Sequence, residues 1–105
     1  GIDRPILFQG EEIYPNYLYY SGGKIYAADK KNGVLIIEGN QVVGTILPKV
    51  KGRVEALQKM VIYQHTIIGS STNGFFQFDM EGRLLKSIHN AFGFAFKKLL
   101  ANWFN

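Results

Sequence analysis

Few residues in this 105-residue chain are of the types that do chemistry, and their spacing limits what they could do. His65 and His89 are its two histidines; with a carboxylate such as Asp79 they could in principle hold a metal, but they follow none of the recognised ligand spacings. An exposed or hydrogen-bonded role is expected for each. Ser70-Ser71-Thr72 near His65 offers the atoms for nucleophilic catalysis, which needs a hydroxyl activated by a base within reach. The same three residues run into Asn73-Gly74 and read better as a polar turn. Glu11 and Glu12 are adjacent, and adjacent residues on a strand point to opposite faces, which argues against a shared acid–base role. Gly22-Gly23-Lys24 has half of a phosphate loop, yet Ile25 stands where Ser or Thr should follow the lysine, so a hairpin turn is expected. Asp29-Lys30-Lys31-Asn32-Gly33 places two cations where a calcium loop wants oxygen ligands. The absence of cysteine removes disulfides, thiolate metal sites and thiol chemistry together. No catalytic, metal or cofactor-binding residue is assigned, and no cofactor is expected.

Two residue sets suit binding better than catalysis. Lys49, Lys51, Arg53 and Lys59 against Glu55 give a local charge of +3 within eleven residues. Such a loop can meet nucleic-acid phosphate or an acidic partner. A total charge of +4 is ordinary and the aromatics are needed in the core, so a solvated loop outranks nucleic-acid binding. The second set is Tyr14, Tyr17, Tyr19 and Tyr20. Tyr17 and Tyr19 share one face of a strand and Tyr20 takes the other, so some of these rings reach a surface where a protein or carbohydrate ligand could stack. Cross-strand packing explains them equally well.

The elements that position these residues come from an internal repeat. Lys24–Ile46 can be laid over Thr66–Ile88, with the two Asn-Gly pairs, Asn32-Gly33 and Asn73-Gly74, 41 residues apart. Each copy reads as strand, Asn-Gly turn, strand, Gly-containing turn and strand, with one more candidate strand in front, Tyr17–Ser21 and Lys59–Tyr63. Asn-Gly predicts a type I′ turn, because both residues accept positive φ. Gly39-Asn40 and Glu81-Gly82 mark the next hairpins. Four strands per repeat of ~41 residues is the strand count and period of a propeller blade. The expected fold is all-β: an antiparallel meander of about two four-stranded propeller-like units in one domain, residues 1–105, with repeats at about 17–46 and 59–88. Leu47–Glu55 reads as the crossing between units, and Ile6-Leu7-Phe8 as a strand completing a neighbouring unit. In the tail, 91–105, Phe96, Leu99, Leu100, Trp103 and Phe104 suit a short amphipathic helix, while Phe92, Phe94 and Phe96 equally suit a strand.

At Pro15–Val43 the chain resembles the blades of NHL-type and related six-bladed β-propellers, and at Ile67–Leu85 those of bacterial two-component-regulator sensor propellers. The resemblance covers about two thirds of the chain, Tyr17 to Ile88. It implies that Asp29 and Asp79, near strand ends, tie turns together. It departs from other propellers in having no Trp-Asp dipeptide and no third copy. Two blades cannot close a ring, and open edges invite further chain. The resemblance therefore implies a non-enzymatic binding or assembly module, a homo-oligomer or part of a longer chain. The alternatives are a propeller-type hydrolase fragment with catalytic residues elsewhere, and a nucleic-acid-binding piece using the 49–59 loop.

Composition sets the outer bounds. With 47% hydrophobic and 19% charged residues the chain is too apolar for intrinsic disorder. Apolar runs such as Val34–Ile37 fall far short of the ~20 residues that span a bilayer, so no transmembrane segment is expected. A start on Gly1 reads as a processed precursor or a tag remnant, and extracellular or periplasmic residence is slightly favoured over cytoplasmic.

Overall fold

Alternating side chains and short polar turns produce twelve strands in the computed structural model, which describes residues 5–88. They are β1 (Leu7–Phe8), β2 (Glu11–Glu12), β3 (Pro15–Ser21), β4 (Lys24–Asp29), β5 (Gly33–Glu38), β6 (Gln41–Ile46), β7 (Lys49–Val50), β8 (Arg53–Val54), β9 (Lys59–Tyr63), β10 (Thr66–Ser71), β11 (Gly74–Asp79) and β12 (Leu84–Ile88). No helix is present among the described residues, and none there crosses a membrane. His89 and the tail at 91–105, with its expected helix or strand, lie outside the described residues.

The all-β meander is observed. β3-β4-β5-β6 and β9-β10-β11-β12 form two four-stranded antiparallel sheets, each built from consecutive hairpins. The repeat extends further towards the N-terminus than its sequence shows. Leu47–Glu55, read as a plain crossing, contains the β7–β8 hairpin, and Ile6-Leu7-Phe8 pairs within the β1–β2 hairpin instead of completing another unit. The two hairpins lie 42 positions apart, as do their closing bonds, Ile13 N to Ile6 O at 3.1 Å and Glu55 N to Pro48 O at 2.7 Å. Residues 6–46 and 48–88 are thus two copies of one unit, a hairpin followed by a four-stranded sheet.

Turn chemistry differs from the expectation. Paired positive φ, as a type I′ turn requires, occurs at Gln9-Gly10, Gly22-Gly23, Lys51-Gly52 and Gln64-His65, whereas in the Asn-Gly pairs only Gly33 and Gly74 have it. The asparagines are there for their side chains. Asp29 Oδ2 accepts from the backbone N–H of Lys31 (3.0 Å) and Asn32 (2.9 Å) and from Asn32 Nδ2 (3.0 Å). In the second copy two residues divide that role. Ser71 Oγ accepts from Asn73 N–H at 3.0 Å, and Glu55 Oε1 accepts from Asn73 Nδ2 at 2.7 Å and from Ser71 Oγ at 2.5 Å. Buried carboxylates with satisfied oxygens thus hold each turn, the role expected of Asp29.

The sheets stack in one sense. One face of the first sheet, with Tyr17, Tyr19, Ala28, Val34 and Ile46, packs on Met60, Ile67, Phe76 and Phe78 of the second. The other face of the first sheet buries Ala27, Leu35 and Ile37 beneath Ile6, Phe8 and Ile13 around the β1–β2 hairpin. Strand register makes Leu35 and Ile37 the counterparts of Phe76 and Phe78. The first sheet therefore meets the second through unlike faces, a head-to-tail relation and not a two-fold one.

Candidate functional site

β3 alternates by its pleat, and that alternation divides the tyrosines. Tyr17 and Tyr19 are half-buried between the sheets, and the Tyr19 hydroxyl donates to Ile62 O at 3.5 Å. Burial pushes the Tyr17 phenol above its ordinary pKa. Asn16 Nδ2 donates to Leu57 O at 3.2 Å, joining the two copies alongside these rings. Tyr20 and Leu18 emerge on the opposite face, 71% and 45% exposed. Their counterparts in the second copy are Ile62, half-buried, and Met60, 0% exposed, because the first sheet covers them. The β1–β2 hairpin covers the middle of this face at Ala27, Leu35 and Ile37, and its β3 edge at Leu18 and Tyr20 is left open.

The structure brings together three of the four cations expected to form one loop. Lys49, Lys51 and Arg53 are exposed on the β7–β8 hairpin. Lys49 pairs with Val54 and Val50 with Arg53, so Lys49 and Arg53 leave opposite sides while Val50 turns into the core. Lys59 opens β9 and shares the side of Val61, away from that hairpin. No single face collects all four.

A groove of about 610 Å³ lies where the copies join, lined by Thr45, Leu47, Lys49, Glu81, Arg83 and Leu84 among others. Its wall is built by a device that the sequence reading touches only at Asp79. Asp79 Oδ1 accepts from the N–H of Glu81 and of Arg83, both at 2.9 Å, and Oδ2 from Arg83 Nε at 2.7 Å. Arg83 also reaches Glu81 Oε2 at 3.2 Å. The Asp-x-x-x-Arg spacing beside Gly82 is the signal that sequence offers for it. Hydrogen bonds from Arg83 hold the Asp79 carboxyl below its ordinary 3.8. A lowered folded pKa means that the clamp's contribution is fully present above 3.8 and is lost as pH falls through the folded value. The amide signals of Glu81 and Arg83 are expected to shift with a midpoint below pH 3.8, and not to show this step in Asp79→Asn. A midpoint at or above 3.8 would contradict the assignment.

A smaller groove of about 290 Å³ lies beside Glu11, Glu12, Tyr14, Asp29, Lys31 and Asn32. The Tyr14 hydroxyl donates to Glu12 Oε2 at 3.0 Å, which pushes the phenol above its usual value, and Lys31 lies 3.6 Å from Glu11. No group of metal-ligating side chains occurs among the described residues. His65 sits exposed in the β9–β10 turn and Ser71 ends β10, so a six-residue strand, roughly 20 Å long, separates the base from the hydroxyl. The hydrogen bond that a nucleophile would need is not formed. Gly22-Gly23 is the expected hairpin turn, between β3 and β4. Compared with family models, curated proteins and solved structures, the chain matches none.

Proposed function

We propose that this chain is a non-enzymatic binding or assembly module of propeller-like repeats, and that the open edge of its first sheet at Leu18 and Tyr20 takes a segment of a second copy. One observation carries the reading: equivalent positions are covered in the second copy at Met60 and Ile62 and left open in the first at Leu18 and Tyr20. Within the chain, such an edge is covered by the apolar side of a neighbouring sheet, with Ala28, Val34 and Ile46 beside Tyr17 and Tyr19. Propellers close with about four to eight repeats, so chains of two units reach closure by combining, three copies giving six. The separation of Lys59 from the β7–β8 cations favours this reading over nucleic-acid binding, and the distance between His65 and Ser71 favours it over nucleophilic catalysis at Ser70-Ser71-Thr72.

Light scattering over a range of concentrations tests it. The expected mass exceeds the 11.9 kDa of one chain and rises towards three copies. Tyr20→Lys, at a 71% exposed position that tolerates lysine in the monomer, is expected to return the mass to one chain without loss of strand content. An 11.9 kDa particle at every concentration would reject assembly.

A further inference from the structure

The last strand of each sheet carries one residue more than its partner strand can match. β6 pairs with β5 in step except between Ile36 and Ile37, where Gly44 and Val42 stand opposite and Val43 is the extra residue. β12 does the same against β11: Lys86 faces Gln77, Leu84 faces Phe78, and Leu85 is extra. The two β-bulges lie 42 positions apart, and Val43 and Leu85 are 53% and 55% exposed. Among the described residues β6 and β12 each pair on one side only, so both are sheet edges. An edge offers a row of N–H and C=O groups to any passing strand, and a bulge spoils that row by breaking its even spacing and raising the local twist. β6 has particular need of such protection. Gln41-Val42-Val43-Gly44-Thr45-Ile46 has no charge, no proline and four β-branched residues, the composition of segments that pair with their own copies. β12 differs in having the exposed Lys86, a second device that discourages pairing.

We infer that the bulges at Val43 and Leu85 guard the outer edges of both repeats, closing β6 and β12 to strand pairing with a second copy of this chain, and that β6 depends on its bulge more than β12 does. This stands apart from the association proposed above, which uses the β3 side of the first sheet, where pairing from Tyr17 to Ser21 is regular. Residues paired across a sheet share a face, and Ile36 and Ile37 point to opposite faces, so Val42 and Gly44 already do as well. Deleting Val43 therefore joins Val42 to Gly44 in a continuous ladder and moves neither side chain to the wrong face. Deleting Leu85 does the same for Leu84 and Lys86 opposite Phe78 and Gln77. Each deletion removes the guard and keeps the inward-facing residues in register.

Light scattering followed over time, with thioflavin T fluorescence for strand stacking and circular dichroism for strand content, decides it. The proteins compared are wild type, the Val43 deletion, the Leu85 deletion, Thr45→Lys, and the Val43 deletion combined with Thr45→Lys, which returns a charge to the same strand at an exposed position. The wild type is expected to hold a finite mass, of one chain or a few, without binding the dye. The Val43 deletion should lose that finite mass, growing without limit as it binds the dye, and Thr45→Lys should restore it. Growth of the Leu85 deletion should be slower, because Lys86 remains on its edge. A Val43 deletion that keeps its strands and a finite mass would overturn the inference, and a Leu85 deletion that grows as fast or faster would overturn the ranking of the two edges. If the deletions lose their strands, wild type against Thr45→Lys alone gives the answer. Equal finite masses are expected, since the edge is already closed. Open-ended growth of the wild type that Thr45→Lys suppresses would show that β6 is open in spite of its bulge and overturn the inference.

Discussion

Gly82→Ala is expected to lower stability by about 3 kcal/mol or more, far beyond the usual effect of adding one methyl group. A Cβ at this position would stand 2.1 Å from Leu47 O and 2.6 Å from its carbonyl carbon, and both are backbone atoms that no rotamer change can move aside. Gly82 also has φ +89°, a region in which side-chain-bearing residues are strained. Its N–H donates to Asp79 O within the β11–β12 turn and its carbonyl accepts from Lys49 N–H of β7, each at 3.0 Å, so a shift to relieve the clash breaks both the turn's own bond and the one that joins it to the β7–β8 segment. Gly52→Ala separates the two causes, because Gly52 has φ +79° and nothing within 4 Å of the added Cβ. It should cost only about 1 kcal/mol, the conformational part alone. Urea unfolding of both variants measures the difference. Equal losses would mean that the close approach of Gly82 to Leu47 does not matter in solution.

The same region shows where sequence reading succeeds and where it stops. Lys59–Tyr63 is recovered as a strand with its observed bounds, and both four-stranded units are visible, because period-two alternation and Asn-Gly pairs are local signals. The preceding hairpins escape that comparison, because residues 6–14 and 48–56 share a single identity, Gly10 with Gly52. What repeats there is a backbone shape, two short strands around a positive-φ pair, and Leu, Gln and Glu serve it as well as Lys, Lys and Arg. The Asn-Gly pairs mark their turns correctly, but for a reason other than paired positive φ. The buried acceptors Asp29 and Glu55 are what asparagine answers, and Glu55 lies 18 residues from its partner Asn73. The pleat places Tyr17 and Tyr19 on one face and Tyr20 on the other, but which face meets the next sheet is a tertiary fact. The candidate surface can therefore be divided from sequence without being oriented.

Phe78→Ala is expected to cost about 3–5 kcal/mol, the range for emptying a fully enclosed aromatic site. Phe78 is 0% exposed, pairs across the sheet with Ile67, and has the Phe76 ring 5.9 Å away at a tilt of 38°. The void would open in the cluster that contains Met60 and Leu57 on one side and Ala28, Val34 and Ile46 of the first sheet on the other. That cluster joins the two copies, so its loss should be felt in both. At roughly 4 °C or more per kcal/mol for a chain of this size, the melting temperature should fall by at least ~12 °C in one transition. Hydrogen exchange locates the effect. The Ala27 amide in β4 and the Ile68 amide in β10 are each predicted to lose protection by the same free energy, because neither sheet keeps its packing face without the other. Loss confined to β9–β12 amides, with β3–β6 unchanged, would mean that the first copy is stable by itself and that the shared cluster does not couple the two.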